Sequence, residues 1–145
     1  MTTSPNGRKL IESFEGLRLT AYLDQRGIAT CGYGHTASVK MGDTCTPEQA
    51  DEWLAGDLAT AEGAVNRLVK VPLTQNQFDA LVSLCFNIGQ GNFAESTVLR
   101  DLNGGYIIPA ACAILDWNKT NGQVNSGLVN RRNAEKALFL TPASV

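Results

Sequence analysis

The segment from residue 15 to residue 36, EGLRLTAYLDQRGIATCGYGHT, constrains the fold of this chain more than any other stretch. It begins at the end of an amphipathic run and continues in two strand-like runs separated by Asp24-Gln25-Arg26-Gly27. Glycine at the end of such a turn supplies the positive φ that tight turns require. The segment therefore predicts a helix end followed by a β-hairpin.

Three side chains of this segment form a pattern that points to chemistry. Eight residues separate Glu15 from Asp24, and five separate Asp24 from Thr30. Glycoside hydrolysis needs one carboxyl that stays protonated near neutral pH and a second that stays ionised. We assign the first role to Glu15. Asp24 then orients the attacking water and stabilises positive charge at the sugar ring, and the Thr30 hydroxyl holds the same water.

Each of these residues also has a purely structural interpretation. Glu15 could pair with Arg18 three residues later on the helix. An aspartate in a turn commonly accepts local backbone hydrogen bonds. A threonine in a strand is a good β-former without further role. The common spacing, rather than any residue alone, favours the catalytic interpretation.

The spacing E-x8-D-x5-T followed by G-Y-G-H-T resembles the phage endolysins of glycoside hydrolase family 24. That resemblance implies a lysozyme (muramidase) that hydrolyses the β-1,4 bond between N-acetylmuramic acid and N-acetylglucosamine in bacterial peptidoglycan and so lyses the host. It implies no metal and no organic cofactor. Two alternatives remain open, a lytic transglycosylase that uses one glutamate and a non-catalytic module that binds the wall.

The resemblance extends to residues outside the segment. Phe86, Asn87 and Ser96 match the wall of the family's cleft and are implied to bind the sugar, although the sequence alone favours a core position for Phe86. Asn130-Arg131-Arg132 resembles the family's C-terminal pair, which implies that Arg131 helps to hold Glu15. The alternative is a solvated basic face that continues through Lys136.

His35 is the only histidine of the chain, which excludes a metal site built on several histidines. We expect it to form a structural hydrogen bond that ties the hairpin to the helical lobe, and the resemblance agrees with that supporting role.

The rest of the chain reads as helical. Thr46-Pro47-Glu48-Gln49 is a strong helix start, with a threonine N-cap, proline at the first position and glutamine at the third.

We expect an α+β, mostly helical, lysozyme-like fold in one catalytic domain, residues 1–145. Its parts are a small β-sheet lobe (about 15–46), a linking helix (about 47–69) and a helical lobe (about 70–145 plus the N-terminal helix). Within that lobe we expect a buried central helix opened by Thr74, a break over 87–92, a helix from Pro109 to near Trp117, a polar loop over 118–127 and a last helix over 128–140.

Composition limits the partners and the compartment. The net charge of −2 argues against a nucleic-acid binder. The N-terminus has no basic region followed by an apolar stretch, so we expect no signal peptide and no stable membrane insertion. We therefore expect a monomer that accumulates in the cytoplasm. The resemblance implies that a phage holin then opens the host membrane and that the enzyme acts on the periplasmic wall.

The four cysteines follow no zinc-binding pattern. Cys85 and Cys112 lie in apolar helical runs and are expected to be free, buried thiols. Cys31 and Cys45 flank the hairpin, and the sequence leaves open whether they form a disulfide. Strand alternation places Cys31 on the face opposite Thr30, which weakens any catalytic role for this cysteine.

Overall fold

Helices dominate the computed structural model, which describes residues 1–142. In chain order the elements are α1 (Pro5–Glu15), β1 (Arg18–Leu23), β2 (Ala29–Gly32), α2 (Pro47–Leu68), α3 (Gln75–Ile88), α4 (Gln90–Ala94), α5 (Thr97–Asn103), α6 (Ile107–Ile114), β3 (Lys119–Thr120), β4 (Gln123–Val124) and α7 (Ser126–Leu140). The expected α+β, mostly helical fold class is confirmed. Within residues 1–142, no helix is both long enough and apolar enough to cross a bilayer.

The chain divides into two compact units, which are described separately. One comprises Lys9–Ala59 and is called the hairpin unit; the other comprises Met1–Arg8 together with the chain from Thr60 onward and is called the helical unit. The boundaries fall inside α1 and α2, so both helices contribute residues to both units.

In the hairpin unit, β1 and β2 pair antiparallel, with Tyr22 opposite Thr30 and an irregular register between Arg18 and Tyr22. An isolated bridge between Thr20 and Thr44 adds the following loop to the edge of this sheet. The unit has a small apolar core to which strands, loop and α2 all contribute: Ala21, Cys31, Cys45 and Ala50, with Tyr33, Val39 and Trp53 packed against it.

Helices α2 and α3 begin where their capping residues predict. At the start of α2, the Gln49 N–H donates to Thr46 Oγ1 over 3.1 Å, and the Thr46 N–H donates to Gln49 Oε1 over 2.9 Å. Thr74 and Gln77 form the same reciprocal box at the start of α3. These pairs satisfy backbone donors that a helix leaves without intrahelical partners. The predicted helix over 47–69 is thereby confirmed to within one residue.

The central position predicted for α3 is also confirmed. Its residues from Phe78 to Cys85 are all buried, including the polar Asp79 and Ser83. This helix packs most extensively against α7. A helix that is apolar nearly all round is stable only inside a core.

Several smaller elements differ from the sequence expectations. The expected break over 87–92 is nearly filled by helix, because α3 ends at Ile88 and the short helix α4 begins at Gln90. Helix α6 begins at Ile107, two residues before Pro109, and ends at Ile114. The expected loop over 118–127 contains the β3–β4 hairpin, whose turn has positive φ at Asn121 (53°) and Gly122 (78°). Asn-Gly is the preferred sequence of such a tight turn, so a signal for this hairpin was present.

The last helix starts two residues earlier than expected, at Ser126, because the Asn125 side chain caps it. Asn125 Oδ1 accepts a hydrogen bond from the Leu128 N–H over 3.1 Å. Asparagine is among the most favoured N-cap residues.

The expectation that Cys112 is buried is wrong. Its neighbours Ala110, Ala111 and Ile114 are buried, whereas Cys112 is exposed. Residues of one helix face recur at intervals of three and four, so a position between buried neighbours can face solvent even in an apolar helix. Cys85 is buried as expected, and burial raises the pKa of its thiol to about 11.

A buried charged cluster, the Arg–Glu cluster, joins α3 to α7; it consists of Ser83, Arg131, Arg132 and Glu135. Arg131 Nε lies 3.3 Å and Arg132 Nε 2.8 Å from the two oxygens of Glu135. Ser83 donates its hydroxyl to the same carboxylate. The interpretation of Arg131 and Arg132 as a solvated basic face is therefore wrong, because both side chains are buried.

The start of α1 packs closely on α3 in the helical unit. The Ser4 N–H donates to Asp79 Oδ1 over 3.0 Å, and the Ser4 hydroxyl donates to the other oxygen of this buried carboxylate. A Cβ atom on Gly7 would lie 2.5 Å from Asp79 Cγ. Position 7 therefore admits only glycine without movement of α1 or of Asp79.

We predict that Gly7→Ala destabilises the protein, although alanine is the better helix former. Crowding of a packed interior costs about 1–3 kcal/mol. The matched control is Gly63→Ala in α2, where an added Cβ meets nothing within 4 Å; it should stabilise by roughly 0.5–1 kcal/mol. Urea unfolding measures both, and effects of the same sign would contradict the assigned packing.

We predict that Glu135→Gln lowers the free energy of unfolding by about 3–5 kcal/mol, because it removes the buried carboxylate charge that Arg131 and Arg132 both contact. The control is Glu52→Gln at an exposed position of α2, which should change stability by less than about 0.5 kcal/mol. Denaturant unfolding of both variants tests the assignment, and equal stabilities would disprove it.

Candidate active site

Glu15 is the last residue of α1 and belongs to the hairpin unit. Gly16 follows in the left-handed region, with φ of 70°, and ends the helix. The Glu15 side chain is half-buried, and an added Cβ at Gly34 would lie 2.6 Å from its Oε2. Gly34, with φ of 77°, therefore lets the backbone after β2 approach the carboxyl closely.

Asp24 lies in the turn between β1 and β2, and both of its carboxylate oxygens accept hydrogen bonds. Oδ1 accepts from the backbone N–H groups of Arg26, over 2.8 Å, and Ile28, over 2.9 Å. Oδ2 lies 3.0 Å from Arg26 Nη2 and 3.3 Å from Arg26 Nε. The Ile28 N–H is the main cause that lowers the pKa of Asp24, and the Arg26 side chain acts in the same direction. The carboxylate is therefore ionised at neutral pH.

Thr30 pairs with Tyr22 in the sheet and is buried. Its hydroxyl donates to the carbonyl oxygen of Ile28 over 2.9 Å. Because that bond uses the only hydroxyl proton, the oxygen has only acceptor capacity left for another partner.

Cys31, the next residue, belongs to the core of the hairpin unit, as strand alternation predicts. Its Sγ lies 3.4 Å from Cys45 Sγ, and both residues are free thiols. Burial is the main cause that raises the pKa of Cys45 to about 11. Cys45 is therefore protonated at neutral pH and is a poor source of a nucleophile.

His35 connects the hairpin to α2. Its Nδ1 lies 2.7 Å from Asp57 Oδ2, and its ring stacks on Trp53 with centroids 4.5 Å apart. Both partners lie on the part of α2 that belongs to the hairpin unit. The bond therefore ties the hairpin to its own unit, whereas the sequence had led us to expect a bond to the helical lobe. The backbone of His35 also pairs with Cys31 in both directions over 2.9 Å.

The remaining candidates lie in the helical unit. Phe86 is half-buried, and Asn87 is exposed, with its Oδ1 accepting from Arg132 Nη2 over 2.7 Å. Ser96 is buried and caps α5, donating its hydroxyl to Phe93 O over 2.7 Å and accepting from the Leu99 N–H over 3.1 Å. Sugar binding by Phe86, Asn87 and Ser96 stays a prediction.

Arg131 lies in the buried Arg–Glu cluster, where its Nη2 also lies 3.3 Å from Ser83 O. The role expected for Arg131 at Glu15 stays a prediction as well. Over residues 1–142, no group of three or more histidine, cysteine, aspartate or glutamate side chains is arranged to hold a metal ion.

Sequence reasoning missed several residues that shape this site. Trp53 and Asp57 lie four residues apart on α2, a spacing that places both on the face next to His35. Arg26 lies two residues after Asp24 in the turn, and Glu135 lies three and four residues after the paired arginines. These spacings were visible, but spacing alone does not show which of several polar neighbours a side chain contacts in the folded protein.

Comparison with known proteins finds relatives that match nearly the whole chain. The pattern described as "Phage lysozyme" matches residues 12–135. The endolysin of Salmonella phage P22 is 49% identical over 146 residues, covering 97% of this chain and 99% of that protein. The endolysin of Acyrthosiphon pisum secondary endosymbiont phage 1 is 47% identical over 143 residues, covering 96% and 98%.

Solved structures show the same similarity. The muramidase domain of SpmX from Asticaccaulis excentricus has a TM-score of 0.91 at 50% identity, covering 97% of this chain and 99% of that one. A mutant of the P22 lysozyme has a TM-score of 0.87 at 48% identity, with the same coverage. The chain belongs to the phage lysozyme family.

Proposed function

We propose that this protein is an endolysin that hydrolyses the β-1,4 bond between N-acetylmuramic acid and N-acetylglucosamine in bacterial peptidoglycan. The observation that carries the proposal is the hairpin unit itself: it holds the half-buried carboxyl of Glu15, the ionised carboxylate of Asp24 and the acceptor hydroxyl of Thr30. The endolysin and muramidase names of the relatives support the same activity.

Glu15 is the general acid in this proposal. Its protonated carboxyl donates a proton to the glycosidic oxygen as the bond to the anomeric carbon breaks. The close backbone at Gly34 fixes the position of the carboxyl, and a fixed donor spends no free energy on orientation during the reaction.

Asp24 and Thr30 orient the attacking water. The Thr30 hydroxyl has committed its proton to Ile28 O, and the ionised Asp24 has no proton to donate. Both groups therefore accept hydrogen bonds from the water, which leaves a lone pair of its oxygen for attack on the sugar. As the new C–O bond forms, the water proton passes to Asp24, whose negative charge also stabilises the oxocarbenium-like transition state.

The further roles follow from the resemblance. Phe86, Asn87 and Ser96 bind the glycan strand, Arg131 helps to hold Glu15, and His35 supports the hairpin structurally. The protein acts as a monomer without a cofactor. It waits in the host cytoplasm until a phage holin permeabilises the membrane, then degrades the periplasmic wall and lyses the host.

The two alternatives give different products. A lytic transglycosylase leaves an anhydro sugar and has no use for a water held by Asp24 and Thr30. A wall-binding module leaves the glycan intact. Mass spectrometry of peptidoglycan digested by the protein separates all three, and an anhydro product would overturn hydrolysis.

We predict that Glu15→Gln folds but does not lyse. The amide keeps the shape of the side chain and removes its transferable proton, a contribution worth roughly 10²–10⁴-fold in rate. Clearing of a peptidoglycan suspension measures activity, and circular dichroism checks folding. The exposed Glu52→Gln is the matched control, and a Glu15→Gln protein within about threefold of its rate would remove Glu15 from the mechanism.

We predict inversion at the anomeric carbon, because a water placed between Asp24 and the sugar needs room. Inverting enzymes keep their carboxyls about 6.5–9.5 Å apart, against about 5–5.5 Å in retaining enzymes. Proton NMR of a soluble muropeptide oligomer early in digestion should show the α-anomer first. If the β-anomer appears first, Asp24 is a nucleophile and Thr30 does not hold the water.

A further inference from the structure

The hydrogen bonds of Asp24 restrict where the attacking water can bind. A carboxylate offers about four acceptor positions, two on each oxygen. Oδ1 uses both of its positions on the backbone N–H groups of Arg26 and Ile28. Oδ2 faces a single side chain, the guanidinium of Arg26, whose Nη2 and Nε lie 3.0 Å and 3.3 Å away. These two N–H groups fill Oδ2 as well, but they belong to one exposed side chain, whereas the bonds of Oδ1 hold the backbone of the turn. The attacking water therefore binds Oδ2 by replacing the longer bond, from Nε, and lies beside the guanidinium.

We propose that Arg26 is a positioning residue of the reaction: its guanidinium fixes the water-binding oxygen of Asp24 and keeps this carboxylate ionised when the glycan covers it. The proposal rests on the proposed function, in which Asp24 binds the attacking water. It concerns a residue that neither the spacing pattern nor the resemblance singles out.

In the free protein the ion pair between Arg26 and Asp24 contributes little to stability. The Arg26 side chain is 71% exposed and that of Asp24 20% exposed, and exposed ion pairs are weak because solvent screens them. The backbone N–H of Ile28 is the larger cause that lowers the pKa of Asp24 in this state. Loss of Arg26 should therefore leave folding almost unchanged.

Covering by the glycan changes this balance. Desolvation raises the pKa of a carboxyl, and a lower local dielectric strengthens the attraction between the remaining charges. Of the described residues, Arg26 is the charged side chain that lowers the pKa of Asp24. Its effect on that pKa therefore becomes larger when the glycan displaces the solvent. Arg26 acts after the glycan has bound, so its removal should change kcat more than KM.

The pH dependence follows from the sign of this effect. Arg26 lowers the pKa of Asp24, so its removal raises that pKa. Activity requires the ionised form of Asp24, and loss of activity at low pH reports its protonation. The acid limb of the pH–kcat profile must therefore move to higher pH when Arg26 is removed.

The test compares Arg26→Gln and Arg26→Lys with Lys40→Gln. Lys40 is an exposed cation of the same unit, so its replacement makes the same change in net charge away from Asp24. Kinetics on a soluble muropeptide oligomer are measured as a function of pH. Arg26→Gln should lower kcat about two- to fivefold on the acid side, with the limb displaced upward and KM nearly unchanged.

Arg26→Lys should restore the position of the acid limb, because it restores the charge. It should not restore the full kcat, because an ammonium lacks the fork that holds Oδ2. Lys40→Gln should match the wild type. An acid limb that stays in place in Arg26→Gln, or moves equally in Lys40→Gln, would overturn the proposal.

A second measurement separates failure of this inference from failure of the proposed function. The ¹³C shift of the Asp24 carboxyl reports its titration without any turnover. Both proteins compared carry Glu15→Gln, so that the bound oligomer is not cut during the measurement. With Arg26→Gln added, the Asp24 carboxyl should titrate at higher pH in the complex than with Arg26 in place, and identical titration overturns the proposal. Full activity of Asp24→Asn would instead refute the proposed function, whatever the carboxyl titration shows.

Discussion

The hairpin unit depends on the hydrogen bonds that the backbone N–H and C=O of Ile28 form. The Ile28 N–H donates to the Asp24 carboxylate, and the Ile28 carbonyl accepts from the Asp24 N–H over 2.9 Å and from the Thr30 hydroxyl over 2.9 Å. One residue thereby closes the turn, holds the carboxylate ionised and fixes the hydroxyl. The side chain of Ile28 takes no part in this and is 40% exposed. The geometry resides in the main chain, so many side chains fit position 28 but proline does not, because it has no N–H to donate.

The two units use polar groups in different ways. In the helical unit, Glu135 and two arginines are withdrawn from water, which is costly unless every charge is paired. In the hairpin unit, Asp24 stays partly in contact with solvent and accepts two hydrogen bonds from the backbone and two from the Arg26 side chain. The buried charges fix α7 against α3, whereas the exposed carboxylate remains available to a substrate.

Local rules predicted much of this structure from the sequence. The end of α1 at Gly16, the turn at Gly27 and the helix starts at Thr46 and Thr74 each depend on a few neighbouring residues, and all four lie where expected. Long-range partners were not predictable in the same way. The pairing of His35 with Asp57, the burial of the Arg–Glu cluster and the exposure of Cys112 depend on which helix faces meet. The short elements α4 and β3–β4 are too brief to produce a periodic signal.

The contact between Gly34 and Glu15 makes one position serve both folding and chemistry. The φ of Gly34 is 77°, which strains any residue with a Cβ, and an added Cβ would lie 2.6 Å from Glu15 Oε2. Selection for a stable protein and selection for turnover therefore act on this position in the same direction. In an evolving population, a variant at Gly34 would lose stability and reaction together, so this glycine can drift only where the wall no longer needs to be cut.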